Sequence, residues 1–274
     1  MKMIQNLISA LAAIAFFIPF ASAAFARDAA EPRVVRVGTE AAYPPHNFIA
    51  ADGVIDGYDI AILYVVNEMI PELEFEYVPV AWDGLFAALE AGELDIIASS
   101  IGKNAERKAR YLFSEIPYRY EDQSIIFKKD RADIHSLDDL FGKTVAVSTG
   151  TQIAGRMEEF NEKNGNQIKL VYTDGNLNNT LLGIDSGRVD AVVNDMIPAS
   201  FAARELGIEI DSRVIREFSA NPIYFLFRKS DDGMYYRELI DKALEQLAED
   251  GVLMELSIEY LGDDYTLDET ARGN

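Results

Sequence analysis

The stretch from Trp82 to Lys108, WDGLFAALEAGELDIIASSIGKNAERK, concentrates residues that could hold a small anion. Its pattern reads as a helix, a strand, a polar turn and the start of a short helix carrying Arg107. Ser99 and Ser100 leave the strand end, and the guanidinium follows within one short connection. A guanidinium is a planar fork that meets a carboxylate in two parallel hydrogen bonds. The expected chemistry is capture of a small carboxylate. Taken alone, Arg107 also fits a surface arginine on a charged face, because Lys103, Glu106, Lys108 and Arg110 surround it in sequence.

The elements that must position these groups alternate between strand and helix. Val34 to Val37 reads as a strand, Asp59 to Met69 as a helix stopped at Pro71, and Leu73 to Val78 as a strand. Trp82 to Ala91 is a helix closed by Gly92, and Leu94 to Ala98 a strand. A second series follows. Ser136 to Leu140 opens a short helix, and Thr144 to Val147 is a strand leading through Ser148-Thr149-Gly150-Thr151 into a helix from Gln152 to Asn161. Strand Ile168 to Tyr172, helix Asn178 to Ser186, strand Asp190 to Val193, helix Met196 to Leu206 and strand Ile210 to Arg216 complete it. Such alternation predicts parallel or mixed sheets covered by helices.

The two series echo each other. Leu85 to Ile97 and Thr180 to Val192 both read helix, small-Gly-charge turn, apolar residue, Asp, apolar strand. This predicts two lobes of the same βαβ logic. The extended runs Ser124 to Phe127 and Pro222 to Phe227 flank the second series. They are expected to carry the chain between lobes as a two-strand hinge. The tail reads as helices from Tyr236 to Glu249 and from Gly251 to Gly262, returning to the first lobe. The expected division is residues 27–121 with 222–274 as lobe one, and 122–221 as lobe two inserted in it.

Residues 1–26 read as a cleaved signal peptide: Lys2, an uncharged run from Leu7 to Phe20, and Ala24-Phe25-Ala26 as a cleavage site. The run is short for a bilayer span, which argues against an anchor. The chain has no Cys, which excludes thiolate metal sites, cysteine nucleophiles and disulfides, and also a lipid-bearing cysteine after the signal. A protein free in a bacterial periplasm is the expectation. His46 and His135 are the only histidines and are far apart, so neither a metal site nor a cofactor is expected. Removing 1–26 takes away only Lys2, so the formal charge moves from −21 to −22. So acidic a surface excludes a nucleic-acid partner and an anionic membrane.

Six segments in order then resemble a known family: VGTEAAYPP (37–45), DGYDIA (56–61), WDGL (82–85), ERK (106–108), GKTVAV (142–147) and GRVDA (187–191). The chain resembles the periplasmic solute-binding proteins of ABC importers, polar amino acid family (family 3). Within it, KNAER (103–107), YLFS (111–114) and LSIEYLGDDY (256–265) are similar to the L-cystine or sulfur amino acid branch. The resemblance implies the two-lobed, type II periplasmic binding protein fold: an α/β architecture with a mixed sheet flanked by helices in each lobe. It implies a free amino acid as ligand, an inner-membrane permease with its ATPase as partner, and a monomer.

The resemblance also assigns roles by position. Arg107 matches the residue that grips the α-carboxylate, and the turn Gly150-Thr151-Gln152 should meet that carboxylate through N–H groups at a helix start. Asp195 matches the acid that takes the α-ammonium; read alone, it is equally a helix N-cap. Tyr43 and Trp82 match aromatic positions that sandwich the side chain. Glu40 matches a pocket acid of receptors for cationic amino acids. Ser99 and Ser100 should offer backbone groups or hydroxyls. Three positions depart from the pattern: Gly102 stands where relatives have Ser or Thr, Lys103 replaces an apolar residue, and His46 stands where Phe is usual. Two further functions fit the same fold: a cyclohexadienyl dehydratase-like enzyme, with Glu40 or Asp195 as general acid, and a sensory ligand-binding module.

Overall fold

A computed structural model describes residues 31–218 and 221–268; the expected signal peptide lies outside them. The first half runs β1 (Arg33–Thr39), the short strands β2 (Ala42–Tyr43), β3 (Asn47–Ile49) and β4 (Ile55–Asp56), then α1 (Tyr58–Met69), β5 (Leu73–Pro79) and α2 (Trp82–Ala91). β6 (Ile96–Gly102), α3 (Ala105–Arg110), β7 (Leu112–Phe113) and β8 (Arg119–Glu121) follow. The second half runs β9 (Gln123–Lys128), β10 (Thr144–Ser148), α4 (Gln152–Lys163), β11 (Lys169–Thr173), α5 (Leu177–Asp185), β12 (Ala191–Asp195), α6 (Met196–Leu206) and β13 (Ile210–Val214). The return comprises β14 (Asn221–Phe227), α7 (Asp231–Glu249) and α8 (Val252–Leu261).

Two large sheets have the same plan. Their orders are β5-β1-β6-β14-β7 and β11-β10-β12-β9-β13, with β2-β3-β4 as a small third sheet. In each, the first three strands are parallel, and a fourth runs antiparallel to the third and to the fifth. The sequence echo has a physical basis in two aspartates. Asp95 accepts from the Arg36 backbone N–H at 3.0 Å, and Asp190 accepts from the Thr144 N–H at 2.9 Å. Each pins the entry of the third strand in the order to the second, β6 to β1 and β12 to β10.

Alternation along the strands sorts the core into two faces per sheet. In the first sheet, Val35, Val37, Ala98 and Phe225 pack with Ile62, Leu63, Ile240, Leu244 and Leu253 of α1, α7 and α8. Leu85 and Leu89 of α2 cover the other face at Ile97, Ile101 and Leu226. In the second sheet, Val145, Val147 and Val193 meet Ile153 and Met157 of α4, while Ala146 and Val192 meet α5 and α6. The tail therefore returns to the first sheet. Its first helix starts at Asp231, well before Tyr236, because Ser230 Oγ accepts from the Gly233 N–H at 3.1 Å and caps it.

Two expectations need correction. Ser124–Phe127 and Pro222–Phe227 are not the crossings themselves. β9 lies between β12 and β13, and β14 between β6 and β7, so these apolar runs are interior strands paired on both sides. The chain changes sheets one step earlier, at Asp122, and returns after Val214. There β8 pairs with the start of β14, Glu121 opposite Asn221. Likewise Ser99 and Ser100 are not in a turn beyond the strand. β6 continues to Gly102 because β14 pairs along it, with a register shift between Tyr224 and Leu226 that bulges β6 at this point.

The bulge is held by a buried carboxylate. Ser100 has φ +52°, and Ala41 has φ +51°, in the left-handed region that L side chains avoid. Asp59 Oδ2 accepts from the Ser100 N–H at 2.8 Å, from Ser100 Oγ at 2.9 Å and from Asn47 Nδ2 at 3.2 Å. Asn47 Oδ1 in turn accepts from the Ala41 N–H at 3.1 Å. Asp59 and Asn47 are fully buried. Asp59→Ala should lower the stability of the ligand-free protein by about 3 kcal/mol, since it strands buried donors and releases both left-handed residues. Asp59→Asn, which keeps an acceptor, should cost about half as much. Calorimetric unfolding checks both, and equal stability of Asp59→Ala and wild type would refute the clamp.

Candidate functional site

The C-terminal ends of β1, β6, β10 and β12 face a common cavity, the usual place for a ligand in α/β sheets. Glu40 follows β1; Ser99, Ser100 and Gly102 lie on β6; Ser148 ends β10; Asn194 lies at the end of β12. Tyr43, Trp82, Arg107, Thr151 and Gln152 complete the expected residues on its wall. Nine of the expected side chains or glycines thus meet at one place, drawn from both halves of the chain.

Arg107 is the central cation. Asn104 Oδ1 caps α3 by accepting from the Arg107 N–H at 2.7 Å, which sets the side chain at the cavity edge. The guanidinium is buried, with Nη1 donating to Gly102 O at 3.0 Å and Nη2 to Gly150 O at 2.7 Å. It lies 4.6 Å from the Phe86 ring and 5.4 Å from the Trp82 ring. Among the described residues no carboxylate lies within 4.0 Å of it. Burial lowers its pKa to about 10. A buried guanidinium held by carbonyls alone is an incomplete pair that an anion completes.

Several bonds tie the halves together around it. The Trp82 indole N–H donates to Thr149 O at 3.1 Å, and the Tyr43 hydroxyl donates to Asn194 Oδ1 at 2.8 Å. The cavity is seen with its two walls drawn together. Gly102 owes its place to this closeness. A Cβ there would fall 2.6 Å from Gln152 Oε1 and 3.0 Å from Asn221 Nδ2. The hydroxyl that the family pattern places at this position is thus replaced by two amides reaching over a bare backbone.

Two expected contacts, at Gly150 and Asp195, take a different form. Gly150 does not line the cavity; its carbonyl turns to Arg107, and the turn is stabilised by Thr151 Oγ1, which accepts from the Ala154 N–H at 3.1 Å. Asp195 does not reach the cavity either. It is 2% exposed, caps α6 by accepting from the Ile197 N–H at 2.9 Å, and receives Arg119 Nη1 at 3.3 Å and His46 Nε2 at 3.1 Å. Burial, reinforced by Arg119, lowers the His46 imidazole below its ordinary value, so it is neutral at pH 7 and donates to Asp195 through Nε2–H. Lys103 lies outside the cavity, with its ammonium 3.4 Å from the centre of the Tyr224 ring.

Sequence reasoning missed Glu121, Gln123 and Asn221, which also line the cavity. They flank the crossing between sheets. A polar residue opening an apolar strand was the available signal for Gln123 and Asn221. Burial, together with Asp195, raises the Glu121 carboxyl to about 7. Burial, with Asp174 beside it, raises Glu40 to about 7 as well. The cavity therefore offers one guanidinium, two carboxyls and a set of amides and hydroxyls, and can hold a small molecule bearing both an anion and a cation.

The sequence profile of the bacterial extracellular solute-binding proteins, family 3, matches residues 35–263. The L-cystine-binding protein TcyJ of Bacillus subtilis (strain 168) is 30% identical over 236 residues, covering 86% of this chain and 87% of its own. The probable amino-acid-binding protein YxeM of the same organism is 31% identical and covers 80% of each chain. A structure from work on glutathione import via GshT and the cystine ABC importer TcyBC of Streptococcus mutans has a TM-score of 0.79 at 25% identity, covering 87% of this chain and 99% of that one. An ancestral arginine-binding protein bound to arginine has a TM-score of 0.74 at 30% identity, covering 85% and 100%. The fold is that of the type II periplasmic binding proteins, and the chain belongs to the bacterial extracellular solute-binding proteins, family 3.

Proposed function

We propose that this chain is the extracytoplasmic receptor of an ABC importer and holds one free amino acid between its lobes. The observation that carries the reading is Arg107, buried without an anionic partner in a cavity that also holds two carboxyls. The ligand's α-carboxylate takes the guanidinium, flanked by Thr151 and Gln152, and Tyr43 and Trp82 border its side chain. Lobe one is residues 27–121 with 222–274 and lobe two 122–221; the change of sheets at Asp122 supports the first boundary, and the second falls within one residue of Asn221, where β14 of the first sheet opens. The partner is an inner-membrane permease with its ATPase, reached from the periplasm by a monomer. L-cystine or a related sulfur or polar amino acid is the finer reading, supported by the likeness to TcyJ.

Isothermal titration with the L-amino acid that most raises the unfolding temperature in a thermal-shift screen should give one site per chain. Arg107→Ala should weaken it by more than about 100-fold and Arg107→Lys by about 10-fold, since the lysine keeps charge and loses the fork. Unchanged affinity in Arg107→Ala would remove this assignment.

Trp82 is the sole tryptophan and bonds across the lobes. Its emission should therefore shift to shorter wavelength as ligand closes them; a calorimetric binding signal with a static spectrum would contradict that.

Glu40 supplies a pH signature. Its folded value, about 7, lies above its ordinary value of 4.5. Between those values the folded chain holds a proton that the unfolded chain has released, so stability falls as pH rises through this window. Glu40→Gln should gain on wild type by about 2 kcal/mol between pH 5 and pH 8 in ligand-free unfolding. A gap independent of pH would show that Glu40 titrates normally.

A further inference from the structure

The acids near the cavity differ in what they can still accept. Both Asp195 oxygens are engaged, by the Ile197 N–H on one side and by His46 and Arg119 on the other. Arg119 is fully buried and His46 likewise, so solvent cannot replace either. Glu121 lines the cavity, and its carboxylate accepts from Asn221 Nδ2 at 3.3 Å. On the same wall, Asn221 Oδ1 and both polar atoms of the Gln123 side chain are buried without a partner among the described residues. Gln123 is fully buried and Asn221 is 2% exposed. A buried amide left unpaired costs about 1–3 kcal/mol, so such atoms grouped on one cavity wall mark a place that a bound group completes.

An ammonium donates three hydrogen bonds and accepts none. Glu121 supplies the charge and one acceptor; the amide oxygens of Asn221 and Gln123 supply two more. Resting on the amino acid reading above, we propose that the ligand's cationic nitrogen sits on Glu121, Asn221 and Gln123, while His46 and Arg119 withdraw Asp195 from contact with it. The departure at His46 and the missing hydroxyl at Gly102 then belong to one change. The acid at the end of β12 is occupied from behind, and the cation is received at the strands that join the lobes. Glu121 and Gln123 flank Asp122, where the chain leaves the first sheet, and Asn221 begins the strand that returns to it. The ligand's cation is thereby bound at the pivot of the two lobes.

The test uses the mature chain. A thermal-shift panel of the proteinogenic L-amino acids with L-cystine and L-ornithine selects the most stabilising amino acid as the probe. Titration calorimetry then measures that probe, and its analogue with the ammonium replaced by hydrogen, on wild type, Glu121→Gln, Gln123→Ala and Asn221→Ala. Glu121→Gln should weaken the amino acid on the order of 30-fold, and each amide variant by roughly 3- to 10-fold. The analogue should bind wild type and Glu121→Gln equally. The assignment is overturned if Glu121→Gln binds the amino acid as wild type does, or if it loses the analogue by the same factor. Should Glu121→Gln fail to fold, the two amide variants decide by the same comparison. If no amino acid in the panel binds wild type, the receptor reading fails and this one with it. If wild type binds and Glu121→Gln binds equally, only the Glu121 site falls.

Discussion

The cavity depends on one buried carboxylate that never touches it. Asp59 stands in the first turn of α1, where the helix dipole favours a negative charge, and faces the bulge in β6. Its bonds to Ser100 and, through Asn47, to Ala41 keep two non-glycine residues at positive φ. Left to themselves those residues would relax at a gain of about 1–3 kcal/mol each. Because they do not, β6 brings Ser99, Ser100 and Gly102 to the cavity wall, and the chain after β1 brings Glu40 there, tied to Ser99 Oγ through its N–H at 3.2 Å. The geometry of recognition is set by strain that the helix end holds in place.

Arg107 joins the two halves by a different logic. One of its donors goes to the Gly102 carbonyl at the end of β6 and the other to the Gly150 carbonyl after β10, in the other large sheet. These neutral acceptors take two of the guanidinium's five donors and leave its charge without a counterion. Closing the walls therefore buries a cation, which is costly unless an anion is closed in with it. The same accounting applies in reverse to Glu40 and Glu121, whose carboxyls burial pushes up to about 7. Electrostatics alone thus disfavour closure on water and favour closure on a molecule carrying both signs of charge.

The legible parts of this molecule were local. Helix α2, its stop at Gly92 and the echo between Asp95 and Asp190 could be read because each depends on neighbours in sequence. Trp82, Arg107 and Thr151 were readable as helix-start residues beside strand ends. The bulge at Ser99 and Ser100 was not, because it arises from pairing with β14, more than a hundred residues away. Asp195 looked available because its partners, His46 and Arg119, lie 149 and 76 positions distant. Gln123 and Asn221 open apolar strands, where a polar residue ordinarily marks only the edge of a sheet, and Glu121 ends the short, largely charged β8. Their meeting at one cavity follows from β8 pairing with β14, which no local pattern announces.

The shared sheet plan hides an asymmetry in chain order. The second sheet is assembled from one unbroken run, β9 to β13, whereas the first needs β14 between β6 and β7, with α7 and α8 closing its face. The sheet that begins first is thus completed last. As the chain emerges in order, its opening strands have an open edge and a core only partly covered, by α1 and α2, until the final fifth of the sequence arrives. A polypeptide built this way stays incompletely folded for nearly the whole of its synthesis, the condition under which a chain can still be threaded through a narrow translocation channel.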